Sequence, residues 1–259
     1  MAYTLGNPNQ GQSINRQFYN FDIGFKPQTA VGSDGKEVIG KNGPVLTCVK
    51  MWDAEVKQSF PRQAQFSGYL ERVELKEQPD KNGGPSSNYL KVWLGDDETV
   101  CVASIPIGST TEDGNTAVGF SAAKLVGLLN RAASEHAGRM VKIDPAGIAA
   151  GTVINGVTME KTIPSIRVSV LTAPETWARV TTPLYADGSD KLPETPKVLS
   201  SNGKEIKDAQ GKPMVDKDAF NAAASETIAQ FSGRVNAEVD HHAQAEGHDE
   251  QEDFAIPTN

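Results

Sequence analysis

Residues 121–138 read SAAKLVGLLNRAASEHAG, and this stretch decides how the rest of the chain is read. Ala122, Leu125, Val126, Leu128 and Leu129 recur at the three-to-four spacing of one helix face. Ser121 stands where an N-cap belongs, and Gly138 is a natural C-terminal stop. The flanks have a different period. Before the helix come residues 45–52, then 65–77 (QFSGYLERVELKE), 89–94 (YLKVWL) and 99–107 (TVCVASIPI). All are rich in β-branched and aromatic residues, and YLKVWL alternates strictly. After the helix, residues 139–143 and 163–171 resume strand character, and Pro174 and Pro183 close the run.

The chain is therefore expected to be mainly β. Three or four antiparallel-type strands, one helix and two further strands form the order of an OB-fold, a five-stranded, partly open Greek-key barrel with its helix between the third and fourth main strands. A small β-sandwich is the alternative. Around this barrel, placed at residues 45–174, the sequence divides into extensions. Residues 1–44 begin with an Asn-, Gln- and Gly-rich arm carrying Phe18, Tyr19, Phe21 and Phe25. They continue into a hairpin signalled by Asp34-Gly35 and Asn42-Gly43. Residues 175–232 form an appendage with a second hairpin at Asn202-Gly203 and Gly211 and a short helix over 216–231. Residues 233–259 read as a disordered acidic tail.

Charge is unevenly spread. Of 33 acids, Glu238, Asp240, Glu246, Asp249, Glu250, Glu252 and Asp253 follow Arg234, and no Lys or Arg accompanies them. The remaining 26 acids face 25 bases, so nearly all of the net charge of -8 belongs to the tail. No apolar run is long enough to span a bilayer, and the N-terminus lacks the basic and apolar regions of a signal peptide; the expected location is the cytoplasm, with no membrane partner. Cys48 and Cys101 lie in apolar strand-like runs and read as buried, reduced thiols. Of four histidines, His241, His242 and His248 fall in the tail without ligand-like spacing, and His136 reads as a helix-end residue. The acidic run Asp96-Asp97-Glu98 reads as a solvated turn. No phosphate loop, zincin motif or nucleophile elbow is present, so neither metal nor cofactor nor catalytic residue is expected and the chain does not read as an enzyme.

The strands do carry a candidate binding surface. In YLKVWL one face is Leu90, Val92 and Leu94, and the other is Tyr89, Lys91 and Trp93. Two rings beside a cation suit unpaired nucleic-acid bases, because the rings stack on bases and the ammonium meets phosphate. Lys50 and Trp52 share a face of their strand with Leu46 and Cys48. Arg72 and Lys76 share a face opposite Val73 and Leu75. Arg167 opposes Ile166 and Val168. Burying the Tyr89–Lys91–Trp93 face would bury a lysine, which favours its exposure.

The end of the chain, AEGHDEQEDFAIPTN, sets acids before a small apolar hook. Together with the barrel-like strand order and the aromatic–basic strand, it resembles the single-stranded DNA-binding proteins of bacteria and their phages, whose tails end in an acidic run followed by Ile-Pro-Phe. Glu252, Asp253, Ile256 and Pro257 match in kind. Phe254 precedes the Ile-Pro pair, and Thr258-Asn259 stands in place of the final Phe, so docking into the usual host partners is not implied. The resemblance implies a divergent phage- or plasmid-encoded member that coats single-stranded DNA in replication, recombination or repair, without sequence preference. Its tail residues Asp249, Glu250, Glu252, Asp253, Phe254, Ile256 and Pro257 would dock replication or recombination proteins. Self-association into a homo-oligomer fits the same reading. The alternative is a phage structural or assembly protein with a β-rich body and interlocking arms.

Overall fold

The computed structural model describes residues 16–248, apart from 31–33, 38, 41–42, 45, 63, 112–113, 149 and 155. Its elements in chain order are β1 (Gln17–Thr29), β2 (Ile39–Gly40), β3 (Gly43–Pro44), β4 (Leu46–Asp53), β5 (Gln58–Arg62), β6 (Phe66–Gln78), β7 (Ser87–Gly95), β8 (Thr99–Thr110), β9 (Thr116–Val118), α1 (Phe120–Glu135), β10 (Val141–Ile148), β11 (Val153–Ile154), β12 (Val157–Thr158), β13 (Ile163–Ala173), β14 (Thr176–Val180) and α2 (Asp218–His248). The protein is mainly β. One mostly open, mixed sheet runs β14-β13-β10-β6-β7-β8-β1-β4-β5, with β9 added alongside β8. Its pairings are antiparallel except β1 with β8, which is parallel. β2–β3 and β11–β12 are separate two-stranded ribbons.

The sheet bends at β6, which serves both of its halves. Phe66–Gly68 pairs with β10, whereas Tyr69–Gln78 pairs with β7. At the change-over a Cβ on Gly68 would lie 2.5 Å from the Gly95 nitrogen and 2.7 Å from its oxygen, so only glycine fits against the β7 backbone. Just beyond, the register shifts between Leu70 and Arg72, leaving Glu71 as the extra residue of a bulge. Glu71 is buried and is held by the Arg16 guanidinium, which also donates to the Asp96 carbonyl, 2.8 Å from Nε. The curl brings β10 and β13 against β4: Thr47, Cys48 and Val49 are all buried, and the Cys48 thiol donates to the Ser165 carbonyl at 3.6 Å.

Inside the curl lie Leu90, Val92 and Leu94 of β7, Ala103, Ile105 and Ile107 of β8, and Val168 and Val170 of β13. α1 packs its apolar stripe against β8 and β13. It starts two residues earlier than expected, with Gly119 rather than Ser121 at the N-cap and no side-chain cap; His136 is its C-cap.

Four expectations are corrected. Residues 1–15 of the N-terminal arm lie outside the described residues, and from Gln17 onward the chain is β1, inside the sheet between β8 and β4, because Phe21 and Ile23 alternate inward. A boundary at 174/175 fails because β14 pairs back on β13 across a tight turn, with Glu175 at φ 60°. The turns expected at Asn202-Gly203 and Gly211 both form, with Leu199 opposite Glu205 and Lys207 opposite Pro213, but they belong to a three-cornered loop rather than one hairpin: Ile206 N–H donates to the Val198 carbonyl, Met214 N–H to that of Ile206, and Val198 N–H to that of Met214, at 2.8 to 3.0 Å. The short helix followed by a disordered tail from Gly233 becomes one 31-residue helix, α2.

A buried stripe, Phe220, Ala224, Ile228, Phe231 and Val235, carries α2 through Gly233 and packs it on α1 and β6. Polar side chains fasten it at Asn221, Thr227, Gln230 and Asn236. Asn221 Oδ1 accepts Val118 N–H at 3.0 Å, and Thr227 Oγ1 accepts Ala186 N–H at 3.1 Å. Asn130 Nδ2 donates to Gln230 Oε1 at 2.8 Å. Asn236 brackets Val73, accepting its N–H and donating to its C=O, both at 3.0 Å.

Two glycines therefore behave oppositely in urea unfolding. Gly68→Ala is expected to lose about 1–3 kcal/mol by overpacking. Gly233→Ala, on an open helix face with no atom within 4 Å of a new Cβ, is expected to gain about 0.5–1 kcal/mol. A neutral Gly68→Ala would remove the bend from its central place.

Candidate nucleic-acid interface

The outward faces of five adjacent strands are put side by side by the register. One row crosses the sheet as Glu74, Lys91, Ser104, Asp22 and Lys50, ending at Pro61 on the edge strand. Beside it run Lys76, Tyr89 and Pro106, and on its other flank Arg72, Trp93, Val102 and Asn20. These rows follow from strand alternation: Leu90, Val92 and Leu94 point into the core, so Tyr89, Lys91 and Trp93 point out.

A groove of about 580 Å³ lies on this face. Its lining includes Lys50, Lys76, Tyr89 and Lys91, together with Asp22, Gln28, Ser104 and Pro106. Three lysines thus face one carboxylate, and among the described residues none of the three lysines is in an ion pair. Asp22 is partly engaged, accepting from Ser59 Oγ at 3.4 Å. Next to the groove the Arg72 guanidinium carbon sits 5.1 Å from the Trp93 ring centroid, a cation–π contact across the β6–β7 pair. Glu74 reaches the same guanidinium at 3.5 Å. Both side chains are well exposed, so this ion pair contributes little to stability.

Four of the eight strand residues singled out in the sequence, Lys50, Lys76, Tyr89 and Lys91, thus meet in the groove, and Arg72 and Trp93 adjoin it. Trp52 lies on β4 and is 45% exposed. Arg167 is exposed on β13, separated from β7 by β10 and β6, and does not line the groove. Leu75, expected on the apolar side of β6, is 53% exposed because the core ends at Val73. The tail residues Asp249, Glu250, Glu252, Asp253, Phe254, Ile256 and Pro257 lie outside the described residues. Sequence reading missed Asp22, Gln28, Ser104 and Pro106. Alternation marks Asp22 and Ser104 as outward-facing, but their place beside Lys91 depends on β1 entering the sheet next to β8.

The acidic run after β7 is a turn. Asp96 Oδ1 accepts the N–H groups of Glu98 at 2.9 Å and Thr99 at 2.7 Å, and the Thr99 hydroxyl at 3.1 Å. Burial pushes its carboxyl up, but these hydrogen bonds outweigh it and the pKa is lowered. Among the described residues no three His, Cys, Asp or Glu side chains come together as metal ligands, and no helix is long and apolar enough to cross a membrane. No family model, curated protein or solved structure matches the chain.

The thiols provide a check on the curl that builds this face. Burial pushes Cys101 up to about 11, with the Asp96 carboxylate adding to the effect. Burial likewise raises Cys48, and Asp144 adds to it against backbone hydrogen bonds. Both thiols are expected to resist a disulfide reagent at about pH 8 and to react fully in denaturant. Because the folded state holds the Cys101 proton to higher pH than the unfolded chain, stability should fall as pH rises from about 9 towards 11. Fast labelling of native Cys48 would show that β13 does not cover β4.

Proposed function

We propose that this protein binds single-stranded DNA without sequence preference, across the outward face of β6, β7, β8, β1 and β4. The observation that carries the reading is the meeting of Lys50, Lys76 and Lys91 with Tyr89 in one groove, beside the Arg72–Trp93 pair. Unpaired bases need accessible rings and a cationic track for the backbone, and this surface offers the half-buried Tyr89 and Trp93 beside three lysines. The Trp93 edge supplies stacking while the lysines supply counterion release. The near-neutral body disfavours duplex binding, which relies more heavily on charge.

The topology supports an OB-like reading of the barrel. With the short β9, β11 and β12 set aside, β6, β7, β8, α1, β10 and β13 run in the order strand, strand, strand, helix, strand, strand, and β6 pairs with both β7 and β10. Oligonucleotide-binding barrels of this order bind on the face of strands two and three, which correspond to β7 and β8. Here β1 occupies the place beside β8, so the barrel is extended by β1, β4 and β5. The acidic hook at residues 249–259 then serves to recruit replication or recombination proteins, and no catalytic step belongs to the reading. A structural or assembly role is the second reading. It has one observation in its favour: the three-cornered loop exposes Leu199, Ile206 and Met214 to solvent.

Fluorescence anisotropy with labelled oligo(dT) tests the first reading. Trp93→Ala is expected to weaken binding by about 1–3 kcal/mol. Lys91→Glu should weaken it too, and both should leave thermal unfolding unchanged. With about three phosphate contacts, the slope of log affinity against log salt should be about −2. Deleting residues 249–259 should leave affinity equal or tighter. No binding at low salt, together with defined particles formed without DNA, would replace this reading by the assembly role.

A further inference from the structure

A second aromatic–cation pair stands on the same outward face, three strands beyond the groove. Lys142 Nζ sits 4.2 Å from the ring centroid of Trp177. The pair joins β10 to β14 across β13, and the register explains how. Lys142 lies opposite Ser169, and Ser169 lies opposite Arg179. The small serine leaves room for the lysine to reach over it to Trp177, whose strand partner is Leu171. Arg167 lies two residues from Ser169 on the same face, opposite Asp144. Lys142 thus contacts the ring, while Arg179, two residues along β14 from Trp177, and Arg167, further along β13, share its face. Among the described residues neither Arg167 nor Arg179 is in an ion pair.

This patch repeats the chemistry of the Arg72–Trp93 pair, and the sheet connects the two. Lys142 lies opposite Ser67 of β6. Two residues along the same face, Tyr69 lies opposite Gly95, whose strand carries Trp93. From β14 to β7 is four strand steps, roughly 19 Å along the sheet at about 4.8 Å per step. Between Lys142 and Tyr69 that path carries no ion pair among the described residues, and at the step to β7 it passes the Arg16–Glu71 pair, whose side chains lie over Gly95. A packing role explains the pair less well: a cation on a half-buried ring of an edge strand adds only about 0.5–1 kcal/mol, while Val168, Val170 and Val180 already bury the inner face.

We infer that Trp177, with Lys142, Arg167 and Arg179, is a second stacking subsite for the same single strand. The strand leaves the β7–β8 groove, crosses β6 beside Ser67 and Tyr69, and meets Trp177 at the sheet edge. The inference rests on the single-strand reading given above and extends it. The groove by itself holds a short oligonucleotide, and the Trp177 patch is reached only by a longer one.

Length separates the two subsites. Labelled oligo(dT) of roughly 5 and roughly 16 nucleotides, spanning the site sizes usual for such barrels, is titrated against the full chain. Trp177→Ala is expected to weaken binding of the longer oligonucleotide at least about fivefold and leave the shorter one unchanged. Arg179→Gln, at an exposed position, should leave thermal unfolding unchanged, show the same length selectivity and make the salt slope for the longer oligonucleotide shallower by about 0.7. Trp177→Phe should restore most of the loss. Equal loss at both lengths, or none at either, with wild type still binding overturns the subsite and leaves the groove intact. Failure of wild type to bind either length overturns the groove and the subsite together.

Discussion

Gly68 lies so close to the backbone of Gly95 that no side chain fits between β6 and β7 at that point. That contact lets one strand leave β10 and join β7 without a break, and the rest of the sheet depends on it. The bulge at Glu71 follows within three residues and resets the alternation, so that Leu70 faces Leu94 and Arg72 faces Trp93. Without the extra residue, every outward side chain of β6 beyond it would turn inward. A buried carboxylate is the cost of the bulge, and Arg16 offsets it by holding Glu71 and the Asp96 carbonyl at once. The same arginine therefore ties the start of β1 to the turn after β7.

The outward face shows how a nearly neutral body can present a cationic surface. Alternation sorts apolar residues to one side, and the curl of the sheet then gathers cations from strands distant in sequence. Lys50, Lys76 and Lys91 come from three different strands and meet over a lining with one carboxylate. At physiological salt, charges more than about 8 Å apart are largely screened. Local arrangement therefore matters more than the net charge of -8, which is concentrated beyond Arg234.

α2 changes the meaning of the C-terminal region. Val235 is buried and Asn236 brackets the Val73 backbone, so the folded body continues well past Gly233. The sequence beyond Phe231 is polar and has a glycine, which reads as a stop. In the fold, sparse apolar residues at the right spacing suffice, because tertiary packing rather than propensity stabilises most helices in proteins. An exposed helical glycine costs only about 1 kcal/mol against alanine, which that packing overcomes.

Alternation alone determined which side chains of β7 face outward, because a strand has a period of two whatever surrounds it. It likewise marked the strands on either side of α1 and the helix itself, whose period is equally local. Only the tertiary structure decided which outward faces share a surface. Lys50 and Lys91 are 41 positions apart, and β1 comes between their strands through a parallel pairing with no local signature. Arg167 had the same credentials as Lys76 in the sequence and lies outside the groove, while Trp177 and Lys142 meet across β13. Register and strand order are set by long-range packing, and the close approach of Gly68 to Gly95 is where that packing is least forgiving.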